Sequence, residues 1–216
     1  MERAQILEAI KKAKVSEVKR NFVQTIDLVV NLKEIDINKE EGKIEEFVIL
    51  PGGRAKPAKI CALVGPELKD QALKLCDLAI ISEDFSKWND ARKIRKLARE
   101  YDFFIGQTNI MPEVAKTFGR FLGPLGKMPS PKGGHMVPPK ANLETLVRNL
   151  KNTVKVAIKK SPVFQCNVGK EDMPEEKIAE NILAVVERVK SKLPKAQHNI
   201  ANIIIKTTMG APQKVV

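Results

Sequence analysis

The sequence predicts an α/β protein in two domains, and three observations carry that expectation. Through the middle of the 216-residue chain, short apolar runs alternate with amphipathic stretches of helical length, the pattern of a parallel sheet covered on both faces. The flanks carry too few strands to stand alone, two before the middle and three after it. Punctuators at both ends of Pro51-Gly-Gly-Arg-Ala-Lys-Pro57 mark a crossing between the two textures. The expected division is a discontinuous α+β domain of residues 1–58 and 153–216, with an α/β domain of residues 59–152 inserted. Hinges are expected near Pro51–Pro57 and Asn152–Thr153.

Each element follows from its local pattern. Ala4, Ile6, Leu7, Ile10 and Ala13 recur at helical spacing, so a helix covers the first 14 residues. The β-branched run from Thr25 to Asp36 reads as a strand, and Glu45 to Leu50 as a second. Lys59 to Val64 is a buried-type strand, and Pro66 suits the first position of a helix running to Cys76. Asp77 to Ile81 is the next strand, and Ser82 suits the N-cap of a helix reaching Tyr101. Asp102 to Gly106 is a third strand, Met111 to Phe121 a helix, and Asn142 to Asn152 another. Val154–Ile158 and Val163–Val168 suggest a hairpin around Ser161-Pro162. Pro174 opens a helix to Leu193, and Asn199 to Lys206 is a final strand. The two flanks together should make one sheet with helices on one face.

The 22 residues from Gly119 to Lys140 hold five glycines, five prolines, four basic residues and no acid. Such a segment reads as a structured loop throughout, shaped to approach an anion or merely solvated.

Net charge is +12. Residues 1–58 carry 11 basic and 10 acidic groups, 59–152 carry 16 and 10, and 153–216 carry 11 and 6. That excess points to a polyanion, nucleic acid being the commonest. Aromatic content is only 5%, which argues against a stacking platform for single strands and favours folded or duplex nucleic acid. No apolar run approaches a membrane span, and no signal region opens the chain, so a cytoplasmic protein without a membrane partner is expected. Cys61, Cys76 and Cys166 sit in apolar contexts and read as core thiols.

Catalytic signals are poor, and no enzyme is expected. His135 and His198 are the only histidines, and no zinc spacing or nucleophile–base pattern accompanies them. Glu175, Glu176, Glu180 and Glu187 read as a solvated helix face. No strand is followed by G-x-G-x-x-G, and Phe121 stands where a P-loop ending at Gly126-Lys127 needs glycine. No cofactor and no metal are expected.

Two short segments invite contact with folded RNA. Ile203 to Gly210 ends an apolar strand in two hydroxyls, a thioether and a glycine, suited to sugar and shape recognition or to an ordinary turn. Phe22 lies beside the basic Lys19-Arg20 at a strand entrance, where it could staple the first helix or face RNA. Lys159 and Lys160 follow a strand and suit phosphate.

Four motifs now stand in order: Asn21-Phe-Val-Gln-Thr25, Leu50-Pro-Gly-Gly-Arg54, Leu122-Gly-Pro-Leu-Gly-Lys-Met-Pro129 and Thr207-Thr-Met-Gly210. Together they closely resemble the large-subunit ribosomal proteins of the L-one family, over residues 3–212. The resemblance implies a terminal RNA-binding domain and an inserted Rossmann-like domain. Its implied partners are large-subunit rRNA at the mobile lateral stalk, exit-site tRNA whose release it assists, and its own mRNA, which it represses. It also implies a monomer outside the ribosome. A different basic nucleic-acid-binding regulator is the alternative.

The RNA-binding residues expected are Arg20, Asn21, Phe22, Thr25, Asp27, Asn31, Lys159, Lys160, Gln165, Thr207, Thr208, Met209 and Gly210. On the resemblance, Phe22 passes from core candidate to RNA contact. Secondary contacts are expected at Gly123, Gly126, Lys127 and Lys132. Two positions depart from the family pattern: Ala211 intervenes before Pro212, and Leu125 stands where Arg is frequent.

Overall fold

Strand β1 (Thr25–Leu32) buries Ile26, Leu28, Val30 and Leu32 and leaves the residues between them half exposed. That period of two gives it one face for a core and one for solvent. The computed structural model to which it belongs describes residues 3–15, 20–36, 44–158, 161–193 and 196–215. It divides the chain into two compact units, Met1–Lys56 with Asn152–Val216, and Pro57–Lys151.

In the first unit, β1 lies between β8 (Val163–Lys170) and β9 (Ile200–Thr207), both antiparallel, and a two-residue strand β10 (Gln213–Lys214) edges β9. Leu28 stands opposite Cys166 on one side and Ile205 on the other, so buried positions align across three strands. Helices α1 (Arg3–Val15) and α6 (Glu175–Lys190) cover that face, contributing Ile6, Ile10, Ile178, Ile182 and Val186 to one core.

The expected single sheet and hairpin are both corrected. Strand β7 (Thr153–Ala157) pairs with β2 (Glu45–Ile49) in a separate two-stranded sheet, while β8 pairs with β1. A tight hairpin wants positive φ at its turn. Ser161-Pro162 does not suit that, and the two strands go to different partners.

One buried amide ties this unit together. Asn181 of α6 is fully buried; its Oδ1 accepts from the Gly52 N–H at 2.8 Å. Its Nδ2 donates to the carbonyls of Gly53 at 2.9 Å and Val168 at 2.7 Å. Gly52 approaches α6 so closely that an added Cβ would lie 2.6 Å from the Lys177 carbonyl oxygen. Of the glycines in Leu50-Pro-Gly-Gly-Arg54, Gly52 is thus explained by packing and Gly53 by its left-handed backbone, at φ +86°.

The second unit is a parallel sheet in the order β4 (Leu78–Ile81), β3 (Ile60–Val64), β5 (Phe103–Gln107), β6 (Met136–Val137). Both β3 and β5 are wholly buried, as continuous apolar runs in such sheets are. Helices α2 (Lys69–Leu75), α3 (Ala91–Glu100), α4 (Met111–Leu125) and α5 (Leu143–Lys151) accompany the sheet. Phe118 of α4 is fully buried, its ring meeting Phe85 edge-on at 5.4 Å and Trp88 at 6.2 Å.

Two expectations change in this unit. The helix expected from Ser82 to Tyr101 is broken: Ser82–Lys87 is a 3₁₀ segment, and α3 begins only at Ala91. Its cap is Asp90, whose carboxylate accepts from the Arg92 N–H at 2.8 Å. The Gly/Pro loop is also shorter than expected, because α4 runs one turn past Phe121 through Gly123 and Pro124. Gly126, at φ +64°, then closes the helix. Its N–H bonds the Gly123 carbonyl and that of Lys127 the Leu122 carbonyl, a Schellman ending that requires a left-handed residue. The rest of the segment is ordered by a 3₁₀ turn at Pro131–Gly133 and by β6, which joins the sheet edge.

Candidate nucleic-acid interface

The end of the four-stranded sheet where β1 begins and β9 finishes gathers most of the expected contact residues. Thr25 and Thr208 meet there, their hydroxyl oxygens 2.8 Å apart. Thr208 Oγ1 also accepts from the Thr25 N–H at 3.2 Å, and the Thr208 N–H donates to the Thr25 carbonyl at 3.0 Å. Beside this clasp, the buried Gln24 side chain accepts from the Met209 N–H at 3.0 Å, fixing the Thr-Thr-Met-Gly turn.

With the turn held, two large apolar side chains project outward. Phe22 is 54% exposed and Met209 61%. Neither packs into the core, so the staple role for Phe22 is excluded. Arg20 and Asn21 are exposed just before them.

From this end the open face of the sheet runs along alternate residues. Asp27 lies between Asn167 and Lys206, Val29 between Gln165 and Ile204, and Asn31 between Val163 and Asn202. The candidates Asp27, Asn31 and Gln165 therefore share one face with Thr25. Thr207 does not. It is 1% exposed and pairs with Ile26 on the core side, so the expectation that its side chain meets RNA is corrected by the parity of the strand. Lys159 and Lys160 lie outside the described residues.

Asp27 is the one acid of this face among the described positions just named. Burial pushes its carboxyl above the ordinary value of 3.8, against the lowering effects of the Asn167 amide and the Lys206 charge. A raised carboxyl holds its proton more tightly folded than unfolded. Its cost to stability is therefore absent below the unfolded value and grows as pH rises through the folded one. Asp27→Asn should raise the unfolding midpoint at pH 7, an advantage that shrinks away as pH falls towards 3.8. Paired thermal melts across that range check it; a gain independent of pH would refute the assignment.

The second unit alters the expected secondary contacts. Lys127 Nζ donates to the carbonyls of Ala98 at 2.9 Å and Tyr101 at 2.6 Å. It pins the Gly/Pro segment to the C-terminal end of α3, where a cation also meets the negative end of the helix dipole. The expectation that Lys127 grips RNA is corrected: its ammonium serves the fold. Gly123 is an exposed helical position and Gly126 the helix stop, while Lys132 is exposed on its 3₁₀ turn.

A doubly wound sheet binds ligands where its strand order reverses, here between β3 and β5. That crevice is filled from within. Gln107, 2% exposed, accepts from the Gly65 N–H at 2.8 Å and donates to Glu67 at 3.1 Å. The first βα turn thus gives its amide to a side chain and presents a carboxylate, the reverse of a phosphate cradle. Burial pushes the thiols of all three cysteines up, Cys76 to about 11 and Cys166 to about 12, so they remain protonated. No helix among the described residues is long and apolar enough to cross a membrane.

Sequence reasoning missed Asn167, Lys170 and Lys206 on the open face and the buried Gln24 beside the clasp. Gln24 lay inside a motif already singled out, and Lys206 beside another. Lys170 and Asn167 had no local signal, since only strand pairing sets Lys170 opposite Thr25 and Asn167 opposite Asp27.

Residues 10–211 match the model of the Ribosomal protein L1p/L10e family. The chain is 42% identical over 214 residues to the large ribosomal subunit protein uL1 of Methanothermobacter thermautotrophicus, covering 98% of this chain and 99% of that protein. It is 41% identical over 219 residues to uL1 of Thermococcus kodakarensis, covering 99% and 98%. With uL1 of Nanoarchaeum equitans it shares 41% identity over 213 residues, covering 97% and 98%.

Proposed function

We propose, since this chain belongs to the ribosomal protein L1p/L10e family, that it is a structural protein of the cytoplasmic large ribosomal subunit. It binds large-subunit rRNA at the lateral stalk through the β1–β9 end of its first unit. The observation that carries this reading is the clasp itself. Two threonine hydroxyls, a backbone turn and two outward apolar side chains sit at one sheet end, beside an open face bearing Asp27, Asn31, Gln165 and Lys206.

This chemistry suits folded RNA better than duplex DNA. Phe22 and Met209 offer apolar surface for a ribose or an unstacked base, and hydroxyls offer partners for the 2′-hydroxyl. Asp27 would repel phosphate but accept from a 2′-hydroxyl or a base amine. Basic groups at Arg20, Lys170 and Lys206 supply the sequence-independent attraction. The same sheet end would bind the chain's own mRNA if the message folds like the rRNA site, giving repression by competition. Assisting the release of exit-site tRNA is the second role we assign to the ribosome-bound chain, which is monomeric before assembly.

Thr208→Val tests the reading. It keeps the volume, removes the hydroxyl, and leaves the Thr25 N–H without its acceptor. Affinity for a large-subunit rRNA fragment of the lateral stalk should fall by about 1–3 kcal/mol, while affinity for an RNA duplex of equal length changes little. Thr208→Ser, which restores the oxygen, should recover most of the loss. Filter binding at fixed salt measures both. An unchanged rRNA-to-duplex ratio in a folded Thr208→Val protein would place recognition elsewhere.

A further inference from the structure

Helix α3 carries four of its five basic residues on one stripe. Arg92, Arg95, Lys96 and Arg99 stand at i, i+3, i+4 and i+7, opposite the buried Ile94, Leu97 and Ala98, and all four are exposed. On the α4 side, Arg95 and Arg99 share a shallow groove with Arg120 and Phe121. The Arg95 guanidinium sits 5.8 Å from the centre of the Phe121 ring. None of the five cations makes an ion pair with a described residue. The adjacent acid Glu100 is already taken by Lys59 at 3.1 Å, and Glu113, which lines a depression with Arg120, makes no ion pair with a described residue. Five uncompensated charges side by side repel one another, an arrangement whose cost is relieved by a polyanion.

We infer that this α3–α4 face is a second RNA-binding surface, on which Arg92, Arg95, Arg99 and Arg120 grip the phosphates of folded RNA. Four of the five cations are arginines, whose planar fork matches phosphate oxygens two at a time. Arg95 over Phe121 adds a stacked plane of the kind that receives a ribose or base. The groove is preset, because Lys127 ties the end of α4 to the last carbonyls of α3. An anionic membrane fits poorly: the apolar face α3 would insert is already buried in its own core. The inference goes beyond the sheet-end reading and does not depend on it.

The test uses the full chain and a mixed-sequence RNA duplex of about 24 base pairs, titrated with salt. Gln keeps helix propensity at these exposed sites, so Arg92→Gln/Arg95→Gln/Arg99→Gln should remain folded by circular dichroism. Its duplex affinity should drop roughly tenfold or more at low salt. The slope of log K against log salt should flatten by about two to three, near 0.9 per lost phosphate contact. The charge-matched control Lys69→Gln/Lys74→Gln/Lys140→Gln should lose much less. Equal losses in both proteins would reduce the effect to net charge and overturn the proposal. So would an unchanged slope, or a loss confined to a polyglutamate peptide, which would make the partner an acidic protein. Thr208→Val is read by the rRNA-to-duplex ratio and this triple variant by the duplex slope, so either reading fails separately.

Discussion

Asn181→Leu should lower the stability of the first unit by about 3–5 kcal/mol, among the largest effects a single substitution has. Leucine fills the same space but offers no hydrogen bonds. The Gly52 N–H and the carbonyls of Gly53 and Val168 then lose partners held at 2.8, 2.9 and 2.7 Å. Each unsatisfied group costs about 1–3 kcal/mol when buried, and partial access of water to the glycines keeps the sum below the maximum. For a unit of this size the unfolding midpoint should fall by roughly 10–20 °C. The effect should reach function, because α6 shares its core with β1 and β9, which carry the clasp. Calorimetry of the full chain should show one transition shifted, with rRNA affinity lost at temperatures where the wild type still binds. A shift worth less than about 1 kcal/mol would mean the three bonds are replaced by water.

Phe118→Ala should be as costly to the other unit and far less costly to recognition. Removing a fully buried phenylalanine ring typically costs about 3–5 kcal/mol, through lost burial and the cavity left behind. Here the edge contact with Phe85 at 5.4 Å is lost as well. The single tryptophan, Trp88, packs 6.2 Å from this ring, so its fluorescence reports the second unit directly. The expected result is early loss of the tryptophan signal while the rRNA-to-duplex ratio stays near wild type. If that ratio collapses with the fluorescence, the recognition site lies in the second unit and not at the β1–β9 end of the first. For similar losses of stability, one substitution thus weakens rRNA binding and the other leaves it near wild type.

Much of the fold was legible because its signals are local. The alternation in Thr25–Leu32, the continuous apolar β3 and β5, and the helical stripe of Glu175–Lys190 are each properties of neighbouring residues. The four motifs, taken together, led to the L-one resemblance, and the family match over residues 10–211 agrees with it. Misreadings arose where a strong local signal met a stronger competitor. Ser82 looks like a cap, but it opens only a 3₁₀ segment, and it is Asp90 that captures the Arg92 N–H at the start of α3. Glycine and proline after Phe121 looked like loop, yet proline tolerated in a last turn and a left-handed Gly126 end the helix later.

The candidate site divides along the same line. The family resemblance puts Phe22, Thr25, Thr208 and Met209 in one set, and the fold brings them to one sheet end. Register alone decided that Thr207 faces inward while its neighbour Thr208 faces out, since side chains on a strand change face at every residue. Distance in the chain hid the rest. Lys127 finds Ala98 and Tyr101, and Asn181 finds Gly52, across separations at which no local pattern specifies a partner. Composition and periodicity determine which residues prefer water and which form helices or strands. Which donor meets which acceptor follows only from packing the elements, because a hydrogen bond needs geometry within a few tenths of an ångström and a sequence pattern carries none.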